Sequence, residues 1–334
     1  MANSTVERPT EDDIRGHDLR DIYRLMLLTR RLEESVYRKF HEAKIGGYLH
    51  RYDGMEALVA GVIPLLELPG DYVLSTYRDH AHALACGTPP QEVMAELMGR
   101  ATGCAAGKGG SMHLTDPARG FLGGDGIVGG PVPVSLGVGW ALKYRESRNI
   151  CVCYFGDGAM NQGGVHEAFN MVGLYKLPVL YILENNQYAM GTSIKRSSAE
   201  PLLYRRGEAH RIPGLQVDGM DVLAVRGAAQ VALDWTRSGK GPIIIEFLTY
   251  RYRGHSMSDP AKYRTREEVQ DVREHRDPIV HAERDLEAMG VKEEELKAID
   301  KQIKDIVVNA AKFAEDAPEP APAELYTDVL VGSY

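Results

Sequence analysis

The 334 residues carry 39 basic and 47 acidic side chains, a net charge of −8, and are 44% apolar. That apolar share excludes a disordered or low-complexity chain, and the length suits one large α/β domain or two ordinary ones. The acid excess argues against nucleic acid or an anionic membrane as a bulk electrostatic partner, yet a local basic cluster could still hold phosphate.

Residues 1–17 read as a polar extension. They contain acidic groups and no apolar core, which fits neither a secretory signal nor an Arg-rich transit peptide, so a cytoplasmic chain is expected. From Asp18 to Phe40, apolar residues recur at helical spacing (Ile22, Leu25, Met26, Leu32, Val36) and predict an amphipathic helix. Asp71–Ser75 is a candidate short strand leading into Tyr77-Arg78-Asp79-His80. A glycine-dense stretch from Gly99 to Gly130 follows, and its length as a connection suggests a functional loop. The longest uncharged run, Gly126–Leu142, holds five glycines and two prolines, so it reads as a loop entering a helix and not as a membrane span.

The centre of the chain is the most legible part. Ile150–Phe155 is a continuous apolar run, as expected of a strand covered on both faces. Gly163–Lys176 has Val165, Ala168, Phe169 and Val172 on one helical face, and Pro178–Leu183 is a second buried strand. Strand, helix and strand in about 35 residues make a βαβ unit with parallel strands. Pro242–Leu248 is a further strand, and Thr265-x-x-Glu268 has capping-box spacing that should open a helix near Arg266. Residues 317–324 form a stiff Pro-Ala spacer. The four cysteines are too few for a disulfide scaffold, and Cys151-x-Cys153 reads as two small residues on opposite faces of a strand. The whole is expected to be an α/β fold, a parallel sheet flanked by helices, over 18–334 as a single domain.

In such a sheet, ligands bind outside the carboxyl ends of the strands. Gly156-Asp157-Gly158 follows one central strand and Glu184-Asn185-Asn186 the next, so the crossover brings Asp157 and Asn186 together. A carboxylate, an amide oxygen and a loop carbonyl are a partial set of hard ligands for Mg2+, which completes its octahedron with phosphate oxygens and water. Each cluster alone is also a common turn. The dinucleotide fingerprint fails at Asn161, and the stretch Gly103–Lys108 is one residue short of a P-loop. Tyr77-Arg78 could offer an aromatic surface and a phosphate-binding guanidinium. Arg251–Pro260 packs two arginines and a histidine after a buried strand, although solvated loop arginines would read the same way. His50, in Tyr-Leu-His-Arg-Tyr, adds a further candidate.

Gly-Asp-Gly, 26 residues, then Asn-Asn is the thiamin-diphosphate motif. Together with GKGGSMHL, GGDGIVGG and RYRGHSMSDPAKYRTREEV, it closely resembles the alpha subunits of the two-subunit 2-oxo acid dehydrogenases, the pyruvate dehydrogenase kind above all, from about Asp18 to the C-terminus. The resemblance implies thiamin diphosphate with Mg2+ held by Asp157, Asn186 and the carbonyl of Tyr188. It implies that Arg78 and Arg251 neutralise the phosphates, and that Tyr77, Gly126, Val128, Gly158 and Ala159 line the cofactor. Met190 would wedge its two rings into a bent form, and His255 and His50 would move protons or stabilise charge near substrate. It further implies an α2β2 heterotetramer in which a beta subunit supplies an essential glutamate, bound to a lipoyl-bearing dihydrolipoyl acetyltransferase, with no role for nucleic acid or membrane. Branched-chain 2-oxo acids or acetoin are alternative substrates, and a non-catalytic scaffold is the alternative of another class. Ser256 matches the regulatory serine of animal relatives, whereas Lys262 replaces their second one and Asp125 replaces an expected Asn.

Overall fold

The computed structural model describes residues 16–329. The expected extension over 1–17 therefore lies outside the described residues, apart from the two that open the first helix. In chain order the helices are α1 (Gly16–His41), α2 (Glu56–Val62), α3 (His80–Ala85), α4 (Pro90–Leu97), α5 (Pro131–Tyr144), α6 (Gly163–Tyr175), α7 (Ile194–Ser197), α8 (Val222–Arg237), α9 (Arg266–His275), α10 (Pro278–Ala288) and α11 (Glu293–Asp316). The strands are β1 (Tyr72–Thr76), β2 (Phe121–Asp125), β3 (Cys151–Gly156), β4 (Val179–Asn185), β5 (Tyr188–Ala189), β6 (Thr192–Ser193), β7 (Gly214–Asp218) and β8 (Ile243–Leu248).

Six strands form one parallel sheet in the order β2-β1-β3-β4-β8-β7, and β5-β6 is a separate small hairpin. The central βαβ unit is as the apolar runs predict: β3 and β4 pair in parallel from Cys151↔Val179 to Gly156↔Glu184, joined by α6. Because both faces of β3 and β4 are covered, their residues are buried almost without interruption. Alternation sends Val152, Tyr154, Leu180 and Ile182 toward α2, α4 and α8. Cys151, Cys153, Phe155, Val179, Tyr181 and Leu183 point the other way, onto α5 and α6. Cys151 and Cys153 thus share one face, not opposite ones, since residues two apart on a strand always do. A third apolar layer sits outside the first helices, where α1 packs on α10 and α11 through Leu19, Ile22, Met26, Ile279, Leu286 and Ile303.

Two further expectations need correction. The Gly99–Gly130 stretch contains β2 at the sheet edge, so it is not one loop. Strand β4 also runs through Glu184 and Asn185, which leaves Asn186 as the first residue beyond it. The predicted turn into α9 forms, with the Thr265 hydroxyl accepting the Glu268 N–H at 3.0 Å, but the Glu268 carboxylate does not reach back to complete a capping box. It accepts instead from the hydroxyls of Tyr188 (3.0 Å) and Tyr250 (2.6 Å). Among the described residues no helix is long and apolar enough to cross a membrane.

The order of the strands positions the site. The chain leaves β1 toward β2 at one edge, then returns to place β3 on the other side of β1. This reversal opens a crevice at the carboxyl ends of β1 and β3, where a doubly wound sheet binds its ligand.

Candidate functional site

A cleft of about 480 Å³ lies at that position, lined among others by His50, Tyr77, Met112, Gly126, Val128, Met190, His255 and Ser256. Each comes from a segment just past a strand, or from a loop packed on one. Tyr77 follows β1, Gly126 and Val128 follow β2, and Met190 sits at the tip of the β5-β6 hairpin. His50 and His255 meet because their loops are laced together: the Tyr252 N–H donates to the Asp53 carbonyl at 3.1 Å, and the Met257 N–H to the Leu49 carbonyl at 3.1 Å. Gly54 is required in that lacing. Its φ is +94°, and a Cβ there would lie 2.4 Å from the Tyr250 carbonyl.

The His50, Tyr77 and His255 rings form a compact group, with centroids 4.5 Å (His50–Tyr77), 5.0 Å (His50–His255) and 5.6 Å (Tyr77–His255) apart. Burial, reinforced by the cations Arg78 and Arg251, pushes His50 down to about 2 and His255 down to about 4. Both imidazoles are therefore neutral near pH 7, and each can accept a proton or donate one N–H. The Tyr77 hydroxyl is held above its usual range by burial. Ser256 lies on the cleft wall beside His255.

Deeper in the crevice the polar groups converge. Asp157, 4% exposed, follows β3, and Asn186, 7% exposed, follows β4. Burial raises the Asp157 carboxyl to about 6, against the pull of Arg251 and of the N–H groups of Asp157 and Asn186. The buried Arg251 guanidinium donates from Nη1 to the Tyr188 carbonyl at 2.9 Å and approaches Asn186 Oδ1 at 3.4 Å. From Nη2 it donates to the Met190 carbonyl at 2.9 Å. Two of the three oxygens expected to hold a metal are thus already turned toward one cationic group. Among the described residues no three His, Cys, Asp or Glu side chains cluster as a metal cage, so a cation here would complete its shell with phosphate and water. Arg78 is buried as well, donating to the Arg51 carbonyl and, at 2.9 Å, to that of His255. Burial, with the Arg251 charge second, lowers Arg78 to about 10, which still leaves it cationic.

Gly158 and Ala159 open a 3₁₀ turn directly after Asp157. A Cβ on Gly158 would meet the Ala189 methyl at 2.4 Å, so this glycine lets the hairpin bearing Met190 lie against the Asp157 turn. Met190 itself has a φ of +52° and is 64% exposed. The Asp125 carboxylate acts within its own turn, where Oδ1 accepts the Ile127 N–H at 2.8 Å and closes the bend carrying Gly126 and Val128. All the residues picked out from the sequence therefore fall within one connected region. Sequence reasoning missed Tyr48 and Met112 in the cleft wall, although Met112 lies inside the GKGGSMHL stretch. It also missed Asp259, which accepts the His255 N–H and so fixes that loop.

Similarity to known proteins supplies the family. Residues 23–323 match the family model described as the dehydrogenase E1 component. The chain is 53% identical over 317 residues to a protein of Zymomonas mobilis named pyruvate dehydrogenase E1 component subunit alpha, covering 95% of this chain and 90% of that one. A protein of the same name from Rhizobium meliloti is 52% identical, covering 99% and 94%. A mitochondrial one from Sminthopsis macroura is 47% identical, covering 91% and 83%. With the family model spanning most of the chain and relatives near half identity over nearly its full length, this chain belongs to the dehydrogenase E1 component family.

Proposed function

We propose that the chain is the alpha subunit of a pyruvate dehydrogenase, acting with thiamin diphosphate and Mg2+ to decarboxylate pyruvate and acetylate the lipoyl group of a dihydrolipoyl acetyltransferase. The observation that carries this reading is the gathering of Asn186 Oδ1 and the Tyr188 carbonyl around the Arg251 guanidinium, beside the buried Asp157. Hard oxygens with two buried arginines nearby are a donor set that fits a magnesium diphosphate. The likeness to relatives named as pyruvate dehydrogenase alpha subunits supports the choice of substrate.

When bound, thiamin diphosphate supplies a carbon nucleophile and an electron sink for loss of carbon dioxide. The chain's own residues do the rest. Asp157, Asn186 and the Tyr188 carbonyl would hold the metal, while Arg78 and Arg251 would balance the diphosphate charge. Gly126, Val128, Gly158 and Ala159 would shape the wall around the cofactor, Tyr77 would give it an aromatic side, and Met190, on the cleft rim, would pack against it. His50 and His255, neutral in their buried positions, carry protons between substrate and cleft, and they can donate an N–H to the oxygen on which charge develops.

The cleft rim includes Tyr48 and Met190, 68% and 64% exposed, with Ile127 beside it at 71%. Exposed apolar groups of this kind around a catalytic pocket support closure by a second chain, in keeping with an α2β2 assembly whose beta subunit provides the cofactor-activating glutamate. A cytoplasmic location belongs to the same proposal. Ser256 is a candidate regulatory site, because a phosphate there would add charge and bulk to the wall next to His255. Native protein from which mass spectrometry recovers no Ser256 phosphopeptide would remove that part.

The deciding experiment is coexpression with a beta subunit, followed by a panel of 2-oxo acids and an artificial electron acceptor. Pyruvate should be turned over best, and the alpha chain alone should be inactive. Equal or faster turnover of branched substrates would overturn pyruvate. Absence of thiamin-diphosphate binding by the assembly would point to a scaffold.

A further inference from the structure

Three loops that line the cleft converge on one buried ion pair away from it. Glu33, in the middle of α1, is fully buried, and its Oε1 accepts two hydrogen bonds: from the Tyr52 N–H at 2.9 Å and from His80 Nδ1 at 2.9 Å. On its other side, His80 Nε2 meets the Ser111 hydroxyl at 2.8 Å. His80 is 1% exposed and Ser111 5%. Burial alone would neutralise both ionisable groups. Their mutual attraction outweighs it, holding Glu33 below the usual carboxylate range and His80 above the usual imidazole range.

The order Ser–His–Glu is that of a nucleophile relay, but here all three groups are sealed from solvent, so the arrangement is suited to clamping and not to attack on a substrate. What it clamps is specific. Tyr52 is two residues from His50, His80 is two residues from Arg78, and Ser111 is the neighbour of Met112. Arg51, also buried, stands 3.9 Å from the second Glu33 oxygen and extends the ion pair along the His50 loop.

We propose that Glu33, His80 and Ser111 are positioning residues that lock the His50, Arg78 and Met112 loops to α1 and thereby hold the cleft in register. None of the three touches the cleft, so their effect on turnover passes through the loops. Helix α1 packs on α10 and α11, so the lock ties the mobile kind of element, a loop, to the most deeply anchored kind. The kinetic arm of this inference rests on the function proposed above; its structural arm does not.

The test uses His80→Asn and His80→Gln in the chain coexpressed with its beta subunit. An Asn amide reaches the position of Nδ1 and keeps the Glu33 contact, whereas a Gln amide reaches that of Nε2 and keeps the Ser111 contact. In His80→Asn, limited trypsin digestion should cut after Lys108 at least about fivefold faster while cleavage after Arg51 stays slow. In His80→Gln the pattern should reverse. In both, kcat for pyruvate should fall about tenfold with KM nearly unchanged, as expected when an arrangement needed in the transition state loosens. Ser111→Ala, the mildest change, should reproduce the Lys108 signature if either histidine variant fails to assemble. Wild-type cleavage and kcat in the variants would overturn the proposal, and so would equal acceleration at both sites with a general loss of thermal stability. If the wild-type assembly turned over no 2-oxo acid, the functional reading would fall, and the two cleavage signatures would still decide on the clamp.

Discussion

Arg251 Nη1 donates to the main-chain carbonyl of Tyr188 across 2.9 Å, although 63 residues separate the two in the chain. The contact joins the end of β8 to the hairpin after β4, so a guanidinium stands beside the oxygens proposed for a metal. An arginine serves here because its planar fork reaches several acceptors at once: Nη1 takes the Tyr188 carbonyl, and Nη2 takes the Met190 carbonyl and the Tyr263 hydroxyl. Arg251→Lys keeps the charge and loses the fork. We expect the thiamin-diphosphate Kd of the assembled enzyme to rise at least about tenfold, the size of one lost charge-assisted hydrogen bond. Calorimetry on Arg251→Lys would show this, and an unchanged Kd would mean that the fork is dispensable.

Asp157 is the sole side-chain carboxylate in the proposed metal set. Asp157→Asn retains shape and removes the anion. Cofactor binding by the variant should lose its magnesium dependence: titration with and without Mg2+ should give the same weak affinity, whereas the wild-type should bind far more tightly with the metal. A variant that still responded fully to Mg2+ would place the metal elsewhere.

Most of this site could be read from residue order because its parts lie at the ends of the most regular strands. Strands β3, β4 and β8 announce themselves as unbroken apolar runs, since both of their faces are covered. Strand β2 did not, because Phe121-Leu-Gly-Gly-Asp carries two glycines and lies in a stretch otherwise made of turns. Strand β7 did not either: it is a half-exposed edge strand, Gly214-Leu-Gln-Val-Asp, whose pattern lacks a buried run. The Glu33–His80 pair was illegible for another reason. Its members lie on α1 and after β1, and no spacing rule predicts which buried charges meet across a core.

The depressed histidines carry a pH signature. His50 and His255 are shifted downward, to about 2 and about 4, by burial first and by Arg78 next, with Arg251 adding to both. An unfolded histidine titrates near 6.5, so between pH 6.5 and 4 the unfolded chain binds protons that the folded chain refuses. The histidines' share of folding stability should therefore be intact above 6.5 and decline as pH falls through that window, opposite in sign to the share of Asp157, whose carboxyl is raised to about 6. His255→Gln should flatten the decline only in part, because His50 remains and because the half-buried His255 ring is screened by solvent. Thermal melts at pH 7 and pH 5 for both proteins would measure it. A variant whose midpoint fell as much as that of wild type between the two pH values would contradict the assignment.

Gly158 offers a steric test independent of charge. A Cβ added there would lie 2.4 Å from the Cβ of Ala189, closer than two carbons can approach, and Ala189 belongs to the hairpin that presents Met190. The 3₁₀ turn after Asp157 is anchored by the buried Ala159 and Met160, so the hairpin is the part that must give way. Gly158→Ala should cost about 1–3 kcal/mol of local strain, taken up by displacement of Met190 and the Tyr188 carbonyl. Cofactor affinity should fall, with overall melting changed little. Because the clash is with a single methyl, removing that methyl should relieve it: Gly158→Ala combined with Ala189→Gly should bind thiamin diphosphate better than Gly158→Ala alone. If the double variant binds no better than the single one, the close approach of turn and hairpin is not what requires glycine at position 158.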